Sequence, residues 1–320
     1  MSTFKVCITR KIPETAAQLL LVRGYIVDMP AEESELTHEQ LKNRVTGVDA
    51  LIPLLSDSID REVMDNAPRL KIIANYAVGF NNIDIEYART KNIMVTNTPE
   101  VLTDATADLT WALLLGVARR LVEGDRLCRE GRFSGWGPLL LLGGDVAGKT
   151  LGIIGAGRIG QAVGYRARGF RMNILYSDPQ VRLQFEKDCT ARKVSTEELL
   201  TQSDYITFHC PLNEQTRHLI NAQNVYSIKK GAYLINTARG SLIEEQALVK
   251  ALQQGHLSGA GLDVYEFEPR ITDALLELSN VVLLPHIGSA TLKTRSDMAR
   301  IAAQNVINFL EKGQALTPVY

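Results

Sequence analysis

Leu151-Gly152-Ile153-Ile154-Gly155-Ala156-Gly157-Arg158-Ile159-Gly160 decides how this chain of 320 residues is read. A short apolar run ends in a turn with glycines at Gly155, Gly157 and Gly160. Helix-compatible sequence follows, with Ile159, Val163 and Ala167 on one side. In a dinucleotide site each glycine has its own task. The first permits a sharp turn, the second lets the backbone approach a pyrophosphate, and the third lets the helix pack close to the sheet. The pyrophosphate then meets a helix N-terminus, where unpaired N–H groups and the helix dipole favour negative charge. Asp178 follows Gly160 by 18 residues (178 − 160), near the end of the next apolar run, 172–176. A carboxylate there can accept hydrogen bonds from an adenosine ribose. Three glycines alone would be only a tight strand-to-helix turn. The strand before, the helix after, the next strand and the acid together give the dinucleotide reading.

Outward from that turn, apolar strand-like runs alternate with amphipathic segments, the pattern of an α/β protein. Strand candidates at 151–154, 173–176, 205–209, 232–236, 260–264 and 281–284 supply the six strands of a doubly wound dinucleotide-binding sheet. Before the turn, further candidates lie at 5–9, 25–28, 50–54, 71–75 and 94–97. Thr37-His38-Glu39-Gln40 is a capping-box pattern that opens a helix, and 84–91 reads as another. One long helix is expected over 102–129, with Ala107, Trp111, Leu114, Leu115, Ala118 and Leu121 at helical spacing. A helix so long and apolar calls for cover from another domain or subunit. Residues 131–149 are glycine-rich and irregular. Residues 290–312 are helical again, with Met298, Ile301, Val306 and Phe309 available for burial. Two domains are expected. Residues 100–287 form the dinucleotide-binding domain, and 1–99 with 288–320 form the other, so that two chain crossings frame a hinge cleft suited to a small molecule.

At 45% apolar and 22% charged residues, the composition is that of an ordinary globular protein. A net charge of −1 gives no footprint for nucleic acid or for an anionic membrane. No signal or transit sequence is visible, and no apolar run is long enough to span a bilayer. Cys7, Cys128, Cys189 and Cys210 are scattered without a C-x-x-C pair and read as reduced thiols of a cytoplasmic protein. No metal is expected, because no cluster has ligand spacing.

Three polar clusters follow late strands: Asn236-Thr237-Ala238-Arg239-Gly240, Asp263-Val264-Tyr265-Glu266-Phe267-Glu268-Pro269, and Pro285-His286-Ile287-Gly288-Ser289. In open α/β sheets ligands bind outside the carboxyl ends of strands, so these loops should converge. Their side chains suit hydride transfer to a 2-oxo acid. A histidine can donate a proton near neutral pH, which makes His286 the candidate acid. A carboxylate beside it would favour the imidazolium and fix the ring. Glu268 takes that role, with Glu266 competing for it. The planar guanidinium of Arg239 can hold a substrate carboxylate by two parallel hydrogen bonds and polarise the carbonyl. His209 ends a strand, where it can line the cofactor site without a proton role.

Together these residues resemble the D-isomer-specific 2-hydroxyacid dehydrogenases. The resemblance covers nearly the whole chain, including Asn75-Tyr76-Ala77-Val78-Gly79-Phe80-Asn81-Asn82-Ile83-Asp84 and the motifs quoted above. It implies two doubly wound parallel-sheet domains, a Rossmann cofactor domain inserted in a flavodoxin-like substrate domain. It implies an Arg239–Glu268–His286 catalytic set and substrate-carboxylate contacts from the backbone of Val78 and Gly79. Nicotinamide contacts are implied near Thr106, Thr237 and Asp263, and pyrophosphate contacts at Arg158 and Ile159. It also implies a homodimer formed through the cofactor domain. Phe133-Ser134-Gly135-Trp136-Gly137-Pro138 looks like the glyoxylate/hydroxypyruvate reductase (glycerate dehydrogenase) branch, although Leu139 to Leu142 stand where some members place a second tryptophan. Ending at Tyr320, the chain has no room for the regulatory extension of longer phosphoglycerate dehydrogenases. The charge of Asp178 predicts NAD(H) over NADP(H), with Ser177 and Arg182 as groups that could hold the extra phosphate. The alternatives are a dehydrogenase for another acid, such as 2-ketogluconate or phosphoglycerate, and a dinucleotide-sensing corepressor-like protein.

Overall fold

The computed structural model describes residues 3–320. The chain divides into two compact units. One runs up to Leu102 and resumes over Ser289–Tyr320; the other is Thr103–Gly288.

The first unit is built on β1 (Lys5–Ile8), β2 (Ile26–Asp28), β3 (Ala50–Ile52), β4 (Ile72–Ala74) and β5 (Met94–Thr96). All pairings are parallel, in the order β2-β1-β3-β4-β5. That is the flavodoxin-like order. The central strands are short, apolar and buried because helices cover both faces, as parallel sheets require. Thr37 caps the helix His38–Arg44. Its hydroxyl accepts from the Gln40 N–H, and the Gln40 side chain accepts from the Thr37 N–H, a complete capping box. The long helix Leu292–Lys312 packs on the helix Thr15–Val22 and buries Met298 and Val306. Ile301 and Phe309 stay half-buried.

The second unit contains β6 (Thr150–Ile154), β7 (Asn173–Ser177), β8 (Arg192–Lys193), β9 (Tyr205–Phe208), β10 (Tyr233–Asn236), β11 (Gly259–Leu262) and β12 (Val281–Leu283). They form one parallel sheet ordered β12-β11-β10-β9-β6-β7-β8. The six expected strands are present. The seventh, β8, is two charged residues paired with β7 at the sheet edge, too short and too polar to carry a strand signature. Strand order reverses between β6 and β9, the switch point beside which α/β sheets bind ligands.

The expected single helix over 102–129 is two helices, Thr103–Ala118 and Leu121–Arg129. The break has a local cause. Arg120 adopts a left-handed conformation (φ 51°), and the Ala118 carbonyl accepts the Gly144 N–H at 2.8 Å instead of continuing the helix. Cover for the first helix comes from its own unit, which corrects the expectation of another domain or subunit. Trp111 stacks on Phe170 at 4.7 Å and donates its ring N–H to the Val163 carbonyl at 3.0 Å. The second helix buries no residue within the chain.

Candidate active site

The glycine turn links β6 to the helix Arg158–Ala167. Gly155 has φ 91°, and a Cβ there would lie 2.5 Å from the Cys210 amide nitrogen at the end of β9. A Cβ on Gly160 would lie 2.1 Å from the Gly155 carbonyl oxygen. These two glycines are therefore demanded by the turn and by the approach of helix to strand. Gly157 is different. Its φ of −73° suits any residue, and a Cβ there would meet no atom of the described residues within 4 Å. Nothing among the described residues requires glycine at this position, but close approach of a pyrophosphate does. Gly157 precedes the helix without a side-chain cap, so the first-turn N–H groups suit an anion, and Arg158 stands exposed at that end. Ile159 packs half-buried against the core beneath. The turn thus fits a dinucleotide.

Asp178 lies just past β7. Its Oδ2 accepts from the Ala156 N–H of the turn at 2.9 Å, and Oδ1 accepts from the Gln180 N–H at 2.9 Å. Arg182 pairs with it at 3.1 Å.

Arg239, Glu268 and His286 follow β10, β11 and β12, three neighbouring strands of one sheet. Parallel strands bring all three to the same carboxyl edge. Asn236 knots the first loop: its amide donates to the Arg239 carbonyl at 2.8 Å, and its Oδ1 accepts from the Ala238 N–H at 3.0 Å. Gly240 lies against the next loop, where a Cβ would be 1.8 Å from the Tyr265 carbonyl carbon. Burial works against the Arg239 charge, and the nearby Glu268 carboxylate favours it.

Glu268 Oε2 lies 2.9 Å from His286 Nδ1, and Oε1 accepts from the Tyr265 N–H at 2.9 Å. Burial pushes the Glu268 carboxyl up. The hydrogen bond and charge of His286, the Tyr265 N–H and Arg239 outweigh it and hold the group below its ordinary range. A carboxylate partner makes Nδ1 the donor and leaves Nε2 for a substrate. Glu266 points elsewhere. It pairs with His218 at 2.5 Å and accepts the Glu245 N–H, so the choice between the two glutamates falls to Glu268.

His286 sits at φ 54°, a left-handed conformation that costs a residue with a side chain about 1–2 kcal/mol. Asp263 holds it there. One carboxylate oxygen accepts from the Ile287 N–H at 2.7 Å, and the other accepts from the Gly288 N–H at 2.8 Å. Burial pushes the Asp263 carboxyl up, against the pull of those N–H groups and of His286. Both oxygens are thus engaged by the backbone that carries the histidine, a task that its sequence position did not reveal.

Thr106 and Thr237 are buried at the same edge, joined through Thr110. The Thr110 hydroxyl lies 2.8 Å from the Thr237 hydroxyl and donates to the Thr106 carbonyl at 2.8 Å. Thr110 escaped the sequence reading, although its position four residues after Thr106 places it on the same helix face. His209 bonds to the Thr207 hydroxyl at 2.9 Å, and burial drives it down to about 3, so it stays neutral. In the first unit, the loop carrying Val78 and Gly79 is shaped by two asparagines. Asn97 donates to the Val78 carbonyl and Asn75 to the Gly79 carbonyl, each at 2.8 Å. Among the described residues, no group of three or more His, Cys, Asp or Glu is placed to hold a metal ion. None of their helices is long and apolar enough to cross a membrane.

Comparison with known proteins identifies the family. Residues 111–288 match the family model described as D-isomer specific 2-hydroxyacid dehydrogenase, NAD binding domain. A glyoxylate reductase of Thermococcus kodakarensis is 50% identical over 309 residues, 95% of this chain and 92% of that protein. Among solved structures, a protein of Thermus thermophilus superposes with a TM-score of 0.92 at 45% identity, covering 99% of this chain and 100% of that one. An NADPH-dependent glyoxylate/hydroxypyruvate reductase of Sinorhizobium meliloti, solved with NADP and malonate, gives a TM-score of 0.87 at 32% identity, covering 99% and 97%. The chain belongs to the D-isomer specific 2-hydroxyacid dehydrogenases, an oxidoreductase family with an NAD-binding domain.

Proposed function

We propose that this enzyme reduces small 2-oxo acids to D-2-hydroxy acids, with glyoxylate and hydroxypyruvate as substrates and glycolate and D-glycerate as products. The observation that carries the reading is the convergence of Arg239, Glu268 and His286 at one sheet edge, with His286 Nδ1 held 2.9 Å from Glu268. The glyoxylate reductase and glyoxylate/hydroxypyruvate reductase relatives support the substrate class. When bound, the nicotinamide supplies the hydride for the keto carbon. Arg239 holds the substrate carboxylate and polarises the carbonyl. His286 gives a proton from Nε2 to the keto oxygen as charge develops there, and Glu268 keeps the ring oriented and charged. The Val78 and Gly79 N–H groups contact the substrate carboxylate. Gly155, Gly157, Arg158, Ile159 and Gly160 hold the pyrophosphate, and Asp178 holds the ribose. Thr106, Thr237 and Asp263 frame the nicotinamide end. On this reading 100–287 is the NAD-binding domain, and 1–99 with 288–320 binds substrate. The test is oxidation of NADH, and separately of NADPH, against glyoxylate, hydroxypyruvate, pyruvate and 2-ketogluconate. We expect kcat/KM to be highest for glyoxylate or hydroxypyruvate with NADH. A tenfold preference for either other acid overturns the substrate, and a preference for NADPH overturns the cofactor.

The second helix of the broken pair and the loop after it support a homodimer built on the cofactor domain. Leu121 is 58% exposed, Trp136 85% and Leu139 80%, an apolar surface of the kind that partner subunits cover. Sedimentation equilibrium should give twice the chain mass; a monomer at micromolar concentration rejects the dimer. A cytoplasmic setting is supported by four unpaired cysteines, Cys128 being exposed. Recovery of the protein outside the cytoplasm on fractionation overturns it.

A further inference from the structure

Glu268 stands on an exposed loop, where Phe267, Glu268, Pro269 and Arg270 all face solvent. Inside it the Arg270 N–H donates to the Phe267 carbonyl at 2.9 Å. Burial does little to fix the backbone that carries the carboxylate, so hydrogen bonds at the ends of the loop must fix it. Both ends meet one side chain. The Glu266 N–H donates to Glu245 Oε1 at 2.7 Å, and the Thr272 hydroxyl donates to Glu245 Oε2. Beyond that end, Ile271 and Ala274 pack half-buried against the core.

Glu245 is itself held firmly. It is 3% exposed and opens the helix Glu245–Gln253, where the helix dipole favours a carboxylate. Its own N–H donates to Glu266 Oε2 at 3.1 Å, so each glutamate binds the backbone of the other. Glu266 Oε1 pairs in turn with His218 at 2.5 Å. Thr272 precedes the helix Asp273–Leu276 but makes no cap bond to it, and its hydroxyl goes to Glu245 instead. A buried carboxylate is costly unless its oxygens are hydrogen-bonded, and here the two ends of one loop supply the donors.

We propose that Glu245 is a positioning residue for keto-acid reduction, clasping both ends of the loop that presents Glu268 to His286. The proposal rests on the reading of Glu268 and His286 as parts of the reducing site. The Tyr265 N–H, one residue before the clasp, is the donor that holds Glu268 Oε1 at 2.9 Å. A loop released from Glu245 therefore moves the carboxylate and its donor together, and the imidazole loses the acceptor 2.9 Å from Nδ1. Small displacements of a positioned group are costly to rate even when the residue at fault lies outside the chemistry.

The test is steady-state reduction of glyoxylate and hydroxypyruvate, with NADH binding by calorimetry and thermal melting beside it. The chains are the wild type, Glu245→Ala, Glu245→Gln, Thr272→Val, Glu268→Gln, and Glu268→Gln combined with each of Glu245→Ala and Thr272→Val. Glu245→Ala should lower kcat about tenfold or more while NADH binds as before. Glu245→Gln should recover most of the rate, because an amide oxygen still accepts from Glu266 and its NH2 group can donate to the Thr272 hydroxyl. Thr272→Val frees one end only and should cost about threefold. The combined variants decide between positioning and a general structural role. If Glu245 acts through Glu268, adding Glu245→Ala to Glu268→Gln should change kcat less than about twofold. Wild-type kcat in Glu245→Ala overturns the proposal. So does the same fold loss with and without Glu268, which would make Glu245 structural. Thr272→Val carries the same cycle if the alanine variant does not fold. A wild-type chain that oxidises NADH with neither acid removes the reading of the reaction, and the proposal with it.

Discussion

Replacing His286 with asparagine should lower kcat for keto-acid reduction by on the order of 10²–10⁴-fold, the usual contribution of a positioned general acid, while NADH binding stays near its original strength. The side chain lies 2.9 Å from Glu268 and follows β12, whereas the glycine turn follows β6, so losing the imidazole leaves the cofactor turn intact. Asparagine also tolerates the left-handed backbone that position 286 adopts (φ 54°), which separates a chemical loss from a folding one. A companion variant tests the carboxylate. The fold holds Glu268 below its ordinary range, so it is ionised throughout the neutral region. Glu268→Gln should lower kcat about tenfold or more with NADH affinity near its original strength, because the imidazole loses the charged acceptor that orients it at 2.9 Å. The stability that goes with a depressed carboxyl is present above its unfolded value and lost as pH falls through its folded one, so this stabilising contribution should weaken only in acid. A His286→Asn enzyme with unchanged kcat would remove the histidine from the chemistry.

Arg239→Ala should reduce kcat/KM for glyoxylate by about 10²–10⁴-fold, the loss expected for two charge-assisted hydrogen bonds. Both constants should suffer, because the guanidinium binds the carboxylate in the ground state and polarises the carbonyl in the transition state. Arg239→Lys should restore little, since an ammonium cannot reproduce the planar fork. NADH affinity, measured without substrate, should be nearly unchanged. Unaltered steady-state kinetics in the alanine variant would take Arg239 out of the mechanism.

Much of this molecule is legible along the chain. Five short apolar runs and then six more, separated by amphipathic segments, state the α/β class, and Gly155, Gly157, Gly160 and Asp178 mark the strand at which the second sheet turns. These are local signals, because all four residues lie within one strand–turn–helix–strand stretch. The helix break at Arg120 was not legible, because its cause is the Gly144 N–H, which takes a carbonyl 26 residues earlier (144 − 118). Nor was β8, whose strand character exists only through pairing with β7.

Sequence by itself determined the fold class, the cofactor turn and the chemical kinds of residue on offer: a guanidinium, two competing glutamates and a histidine. Tertiary structure decided which of them meet. Sheet order places β10, β11 and β12 side by side, so three loops spread over 47 residues (286 − 239) share one edge. Side-chain direction then gives Glu268 to His286 and Glu266 to His218. It turns Asp263 toward the backbone that carries His286, and it sets Arg182 on Asp178. The physical reason is that residue type is a property of one position, whereas a hydrogen bond between loops depends on how distant strands pair and how their ends pack.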